Sequence, residues 1–347
     1  MKSFTEKNSS RKQLNSILPL PMPLGICIEP TNFCNFKCIQ CPASLKDFHD
    51  IVGSKGHMRI DLFEKILQNI KEMGRLKNLN LYGDGEPFLC DNLVSMVKKA
   101  VCENVSEVIT VTTNASLIDE KTALAIIKSG LTYLRVSIYG TTEEKFRRNT
   151  KARVSLQKIR DNLMYLKTLR DSLKQEKPFI YIKMIDTYDK NTSDEFVSQY
   201  KEIADEINIE TPMNWNGYGG YDFIHQVDPS GKTDQTKIQG FYLERGISGY
   251  KKICTTAFHS LNIKQNGDVV ICIVDWNKGT KVGNIKEQTL KEIWFGDQLR
   301  QFRLMHINGE RHKNVSCKNC QYLYGNPDSI SDLSPERYQE ILNFKGV

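Results

Sequence analysis

From residue 24 to about 211, short apolar runs alternate with segments of helical period, and this alternation constrains the fold more than any other feature of the chain. The runs lie at 24–29, 77–82, 106–112, 132–138, 178–185 and 206–210. Between them, 61–73 gathers Leu62, Phe63, Ile66, Leu67, Ile70 and Met73 on one helical face, with Asp61 and Glu64 placed to cap its start. Segment 153–173 does the same with Leu156, Ile159, Leu163, Leu166 and Leu173, and 192–204 opens on Thr192 and Glu195, the spacing of a capping box. Strands alternating with helices build a parallel sheet wrapped by helices, so the expected class is α/β. Six such units in series fit a partial (β/α)6 TIM-like barrel.

Strand parity bears on what the barrel encloses. Leu134, Val136 and Ile138 alternate with Arg135, Ser137 and Tyr139; Ile180, Ile182 and Met184 with Tyr181 and Lys183; Ile207 and Ile209 with Asn208 and Glu210. A closed eight-stranded barrel fills its interior with branched apolar side chains. Here one row of each strand is apolar, suited to face helices, and the other is polar. The polar row implies a wet lumen for a hydrophilic substrate; a two-layer sheet with that row in solvent is the other arrangement the pattern allows. Lys183 and Glu210 have the parity to contact substrate hydroxyl or amino groups, or to enter structural ion pairs.

The 347 residues suit one large domain with a small appendage. The formal charge of +7 comes from Lys and Arg scattered among Asp and Glu, a solvated surface with no basic-aromatic motif for nucleic acid. Residues 1–20 are polar and basic, without the apolar core of a secretory signal. The apolar stretch 18–28 is too short for a bilayer and is interrupted by Pro19, Pro21 and Pro23. No nucleic-acid or membrane partner is expected, and the expected location is the reducing cytoplasm.

Three of the ten cysteines, Cys34, Cys38 and Cys41, fall in the run Glu29-Pro30-Thr31-Asn32-Phe33-Cys34-Asn35-Phe36-Lys37-Cys38-Ile39-Gln40-Cys41-Pro42, with the spacing C-x3-C-x2-C. An odd triplet cannot pair internally as disulfides, and no histidine at suitable spacing completes a zinc site. Three thiolates on one tight loop can each hold one iron of a [4Fe–4S] cube, leaving the fourth iron open to a small molecule. Half a zinc site is the bland reading.

The triplet and its place after an apolar run resemble the radical S-adenosylmethionine (radical SAM) superfamily, in which the amino and carboxylate groups of SAM chelate the open iron. The resemblance extends to Tyr82-Gly83-Asp84-Gly85-Glu86-Pro87, which is similar to the family's Gly-Gly-Glu-Pro motif with Asp84 in place of the first glycine. Gly85 then permits close backbone approach, and Glu86 offers a carboxylate to the SAM amino group. By position, Thr112-Thr113-Asn114 and Ser137 match strand ends where similar enzymes hold the ribose and carboxylate of SAM; each also suits a turn. The aromatic residue usual before the third cysteine is Gln40 here, which shifts adenine contacts to Ile39 or Phe36.

A second set, Cys254, Cys272, Cys317 and Cys320, occupies the C-terminal third. Residues 259–274 read as a hairpin around Asn266-Gly267, followed by Val282-Gly283-Asn284-Ile285 and a helix with Leu290, Ile293 and Trp294. This resembles the SPASM/twitch extension of radical SAM enzymes in its short form. The resemblance implies one auxiliary [4Fe–4S] cluster with all four irons ligated, suited to electron transfer. A four-cysteine zinc knuckle is the other reading. The expected organisation is an N-terminal extension at 1–23, the barrel at 24–211, a linker or substrate loop at 212–253, and an auxiliary-cluster domain with a C-terminal helix at 254–347. Asn214, Trp215, Tyr218 and Asp222 in the loop are expected near the substrate.

The resemblance implies a radical enzyme that cleaves SAM reductively to a 5′-deoxyadenosyl radical, with electrons from a donor such as flavodoxin or ferredoxin. With one auxiliary cluster and a polar lumen, the chain is similar to twitch-bearing dehydrogenases of aminocyclitols and sugars, which implies oxidation of a sugar or aminocyclitol alcohol. Cys27, Cys90 and Cys102 lie outside both sets. Cys90 is best placed to return a hydrogen atom, as an epimerase requires, and Cys102 is expected in the core. An epimerase or a maturase acting on a peptide is the alternative reading, and the second carries less weight because only about 23 residues precede the first strand, with no separate domain to grasp a leader peptide. A non-enzymatic iron–sulfur or zinc protein would have no use for the Glu86 motif.

Overall fold

A computed structural model describes residues 12–210, 212, 251–320, 322–325 and 328–346. Asn214, Trp215, Tyr218 and Asp222 lie outside the described residues. Strands form at the apolar runs: β1 (Gly25–Ile28), β2 (Leu76–Leu81), β3 (Ser106–Thr113), β4 (Tyr133–Ser137), β5 (Phe179–Ile185) and β6 (Glu206–Glu210). Each pairs in parallel with the next. Crossovers between parallel strands are right-handed, so an order that always advances the same way puts every helix on one face. That is the winding of a partial (β/α)6 barrel.

The register fixes what each face carries. Leu81, Val111, Leu134 and Ile180 lie side by side across four strands, each no more than 1% exposed, and turn toward the helices. The alternate positions line up Thr112 with Arg135 and Tyr181, and Ser137 with Lys183 and Asn208, on the opposite face. The outer layer comprises α1 (Ile60–Met73), α2 (Leu93–Cys102), α3 (Glu120–Ser129), α4 (Glu143–Thr150), α5 (Leu156–Ser172) and α6 (Lys190–Tyr200). Phe63, Ile66, Leu67 and Ile70 of α1 are fully buried, the apolar stripe that the 3.6-residue period predicts.

Helix starts depart from the sequence reading. Helix α1 begins at Ile60 without a side-chain cap; Asp61 accepts from its neighbour's Leu62 N–H and from Arg59, and Glu64 pairs with Lys99 of α2. Ser155 caps α5 by accepting from Lys158 N–H, which moves that start to Leu156. Asp189 caps α6, and Thr192 donates its hydroxyl to the Asp189 carboxylate, so Thr192 supports the cap without being it. Cys102 is exposed, against expectation. The buried stripe of α2 runs through Leu93, Met96, Val97 and Ala100, and Cys102 falls off it.

The C-terminal third adds β7 (Ser260–Ile263), β8 (Asp268–Val270) and β9 (Lys281–Asn284). The sheet order is β6-β5-β4-β3-β2-β1-β7-β8-β9. Strand β7 runs parallel to β1 and covers the edge that an incomplete barrel leaves unpaired; β8 and β9 continue antiparallel. Gly267 takes φ 91° in the turn between β7 and β8, a conformation that glycine adopts at little cost. The helices that follow include α7 (Leu290–Trp294), with a Thr289/Glu292 capping box, α8 (Asp297–Ile307) and α9 (Pro335–Asn343). Among the described residues no helix is long and apolar enough to cross a membrane.

Candidate active site

The loop leaving β1 carries Cys34, Cys38 and Cys41, and backbone bonds hold it on two sides. Lys37 N–H and Ile39 N–H donate to Thr150 and Asn149 carbonyls at the end of α4, at 2.9 and 2.8 Å. Glu86 N–H donates to Phe33 O at 2.8 Å, and Asn32 exchanges bonds with Ser54 O and Gly56 N–H. All three thiols are free of disulfides. Burial pushes Cys34 up to about 11 and Cys41 to about 12, and Cys38 rises by burial plus the charges of Cys41 and Cys34. Thiols this close and this desolvated become thiolates only beside a strong positive charge, which the irons of a cluster supply. Among the described residues no three Cys, His, Asp or Glu side chains converge on a single metal ion. A cube spreads its corner ligands wider than one tetrahedral zinc does. Among the described residues, the Nε2 of buried Gln40, beside Cys41, has no partner, nor has the buried Thr112 Oγ1 at the end of β3, as polar atoms awaiting a ligand have none. Phe36 is buried edge-on against Phe146, with ring centroids 5.9 Å apart; Ile39 is half-buried.

Beside this loop lies the segment Gly83–Pro87. A Cβ on Gly85 would collide with Phe33 O and lie 2.6 Å from Thr31 O, so the two loops touch only because this residue has no side chain. The Glu86 carboxylate is 2% exposed and committed to protein donors: Thr113 Oγ1 at 2.6 Å, Asn114 N–H at 2.7 Å and Phe88 N–H at 3.2 Å. It therefore straps the end of β3 to the loop. Asn114 Nδ2 in turn donates to Asn35 Oδ1 in the cysteine loop at 2.9 Å. Ser137 is half-buried and bonds the Tyr139 hydroxyl, a phenol raised by burial and by the nearby Cys38.

Asp84 has an unforeseen partner. Lys264, in the turn after β7, bonds Asp84 Oδ2 at 2.7 Å and approaches Glu29 Oε2 to 3.4 Å, all three side chains being at most 5% exposed. Glu29 also accepts from Asp84 N–H at 3.0 Å. A charge standing where the resemblance expects glycine was the available clue, since a buried carboxylate needs a cation nearby.

On the inner face Lys183 and Glu210 form an ion pair with each other, and Arg135 joins them at 3.3 Å from Glu210. Burial lowers Lys183, while Lys183 and Arg135 outweigh burial at Glu210 and hold it below its ordinary value. Arg135, which sequence reading placed only by parity, also lies over the Tyr181 ring at 5.9 Å. Cys90 is 3% exposed within the hydrophobic core.

Cys254, Cys272, Cys317 and Cys320 line one cavity that opens to solvent. Burial raises Cys272, and the charges of Cys320, Cys254 and Cys317 raise it further. Arg311 donates from Nη1 to the Cys317 and Cys320 carbonyls at 2.7 and 2.8 Å, fixing the C-x2-C turn. Four mutually close thiols outside any disulfide suit a fully ligated cluster. Tyr322 lines the same cavity and lies within electrostatic reach of Tyr82 and Arg135, so the cavity borders the lumen.

The radical SAM superfamily description matches residues 28–172, and the description of an iron–sulfur cluster-binding domain, SPASM, matches residues 254–321. The S-adenosyl-L-methionine-dependent 2-deoxy-scyllo-inosamine dehydrogenase of Niallia circulans is 21% identical over 315 residues, 91% of this chain and 96% of that protein. The structure of BtrN in complex with AdoMet and 2-DOIA superimposes with a TM-score of 0.51 at 18% identity, over 86% of this chain and 93% of that one. SuiB of Streptococcus suis bound to precursor peptide SuiA gives 0.62 at 19% identity, over 82% and 67%. At such identities the structures share the fold. The chain belongs to the radical SAM superfamily, as a SAM-dependent iron–sulfur enzyme with a C-terminal SPASM domain.

Proposed function

We propose that the protein is a radical SAM dehydrogenase that oxidises a secondary alcohol of a sugar or aminocyclitol. In this reading Cys34, Cys38 and Cys41 hold the SAM-binding cluster, and Cys254, Cys272, Cys317 and Cys320 hold the auxiliary one. When bound, SAM and the first cluster supply a 5′-deoxyadenosyl radical that takes a hydrogen atom from carbon, and the auxiliary cluster supplies an acceptor for the electron left on the product.

The protein's own residues do the rest. Gly85 lets the loop after β2 lie against the cysteine loop, and Glu86, whose carboxylate is already engaged, shapes that loop so that its backbone carbonyls meet the SAM amino group. Thr113, Asn114 and Ser137 frame the remainder of SAM at the ends of β3 and β4. Glu210, kept ionised by Lys183 and Arg135, accepts the proton of the substrate hydroxyl, and Lys183 orients a neighbouring hydroxyl. The carrying observation is the four-thiol cavity bordering a lumen with its own ion network. A dehydrogenase of an aminocyclitol that aligns over 96% of its length supports the choice of substrate class.

The test uses reconstituted, reduced protein with SAM and 2-deoxy-scyllo-inosamine or related cyclitols in D2O. A ketone formed with one 5′-deoxyadenosine supports the reading. Solvent deuterium retained at carbon without loss of two hydrogens would replace it with epimerisation. No 5′-deoxyadenosine above a Cys34→Ala control would end it.

A further inference from the structure

We propose that His306 donates a hydrogen bond to a sulfur of the auxiliary cluster and raises its reduction potential, acting as a positioning residue for electron transfer. The inference rests on the assignment of Cys254, Cys272, Cys317 and Cys320 as cluster ligands.

His306 lies in α8 and is completely buried. Its Nδ1 faces the backbone N–H of Cys254 at 3.4 Å and accepts from it, which puts the ring proton on Nε2. Nε2 points away from that bond, is itself buried, and has no hydrogen-bond partner among the described residues. The ring nonetheless lines the cavity that the four cysteines surround. The Phe302 ring, 4.8 Å away one turn earlier in the helix, holds the imidazole in this orientation. Buried N–H donors are almost always satisfied, and this one opens on a cavity whose expected occupant carries sulfur acceptors. A hydrogen bond to a cluster or cysteinyl sulfur withdraws charge from it and favours the reduced state. The residue would thereby set how readily the cluster takes an electron from the lumen side.

The triple variant Cys34→Ala, Cys38→Ala, Cys41→Ala isolates the auxiliary cluster in the full chain. In that background His306→Leu is expected to lower the one-electron potential about tenfold in equilibrium, about 59 mV. His306→Gln, whose side-chain amide can reach the Nε2 position, is expected to stay near the parent. Equal potentials in all three proteins at full iron occupancy, or equal losses in both variants, overturn the proposal. Should His306→Leu lose its cluster, the parent labelled with 15N-histidine decides. Pulsed EPR of the reduced cluster should show a weak histidine nitrogen coupling; none, or one of ligand size, overturns the proposal. A triple variant that binds no iron at all overturns the ligand assignment itself, and the iron count tells the two failures apart.

Discussion

Lys264 Nζ lies 2.7 Å from Asp84 Oδ2, joining the turn after β7 to the loop after β2 inside the protein. Burial works against the lysine's charge, but Asp84 and Glu29 outweigh it and hold Lys264 above its ordinary range. The contact replaces the usual glycine with an ion pair whose other half comes from the SPASM side. The loop after β2 is therefore held in part by the domain that carries the second cysteine set.

Removing one partner should expose that dependence. Lys264→Met leaves two buried carboxylates facing each other, and breaking a buried pair costs about 3–5 kcal/mol. Asp84→Gly should cost less, because Glu29 still faces the lysine. The double variant should be more stable than the sum of the singles implies, by more than about 1 kcal/mol. Urea unfolding of the four proteins measures this cycle. Losses that simply add, within about 0.5 kcal/mol, would show that the three charges do not act as a unit.

Gly85→Ala tests the contact between the two loops. Its methyl group would overlap Phe33 O and crowd Thr31 O at 2.6 Å, and neither is the far end of a flexible side chain. Overpacking of this kind costs about 1–3 kcal/mol, and here the displaced backbone carries the cysteines. Iron bound per chain should fall by the share of the N-terminal cluster. Gly56→Ala, where a methyl group meets open space, is the control and should keep its iron. Equal iron content in both variants would show that the loop can move aside.

What the sequence made legible follows from what is local. The β/α alternation and strand parity depend on periods of 3.6 and 2, so the six parallel strands and the apolar row Leu81, Val111, Leu134 and Ile180 could be read directly. The helix starts could not, because Asp189 and Thr192 are both plausible caps and only the backbone chooses between them. The cysteine spacings pointed to two groups, but the pairing of Asp84 with Lys264 spans 180 residues and no period encodes it. His306 was silent for the same reason: a lone histidine in an amphipathic helix gains meaning only from the cavity around it. Glu86 matched its motif, yet its bonds to Thr113 and Asn114 show that motif identity does not reveal where a carboxylate spends its lone pairs.

Glu86 also gives a pH dependence of unusual sign. Burial pushes its carboxyl up to about 7, against the pull of its donors Asn114, Thr113 and Phe88. An acid whose folded pKa exceeds its unfolded value binds more protons in the folded state across that interval. Its stabilising contribution is complete below the unfolded pKa, near 4.5, and is lost as pH rises through about 7. The loss amounts to up to about 3 kcal/mol. Unfolding free energies at pH 5 and pH 8 should therefore fall less in Glu86→Gln than in the parent. Parallel falls would assign the pH dependence to other groups.

Glu210 separates the chemistry on SAM from the chemistry on substrate. Glu210→Gln removes the carboxylate that Arg135 and Lys183 share and leaves two cations on the lumen wall. If Glu210 accepts the substrate's hydroxyl proton, product formation should fall by about 10²–10⁴-fold, the usual range for general bases. Formation of 5′-deoxyadenosine should stay within a few-fold, because the hydrogen bonds that hold the cysteine loop and the Glu86 strap go to other residues. The readout is the ratio of oxidised product to 5′-deoxyadenosine, with a thermal melt to confirm folding. A variant that loses both in step would place Glu210 in the architecture of the SAM site, and one that keeps both would leave it a lumen ion pair without a part in the reaction.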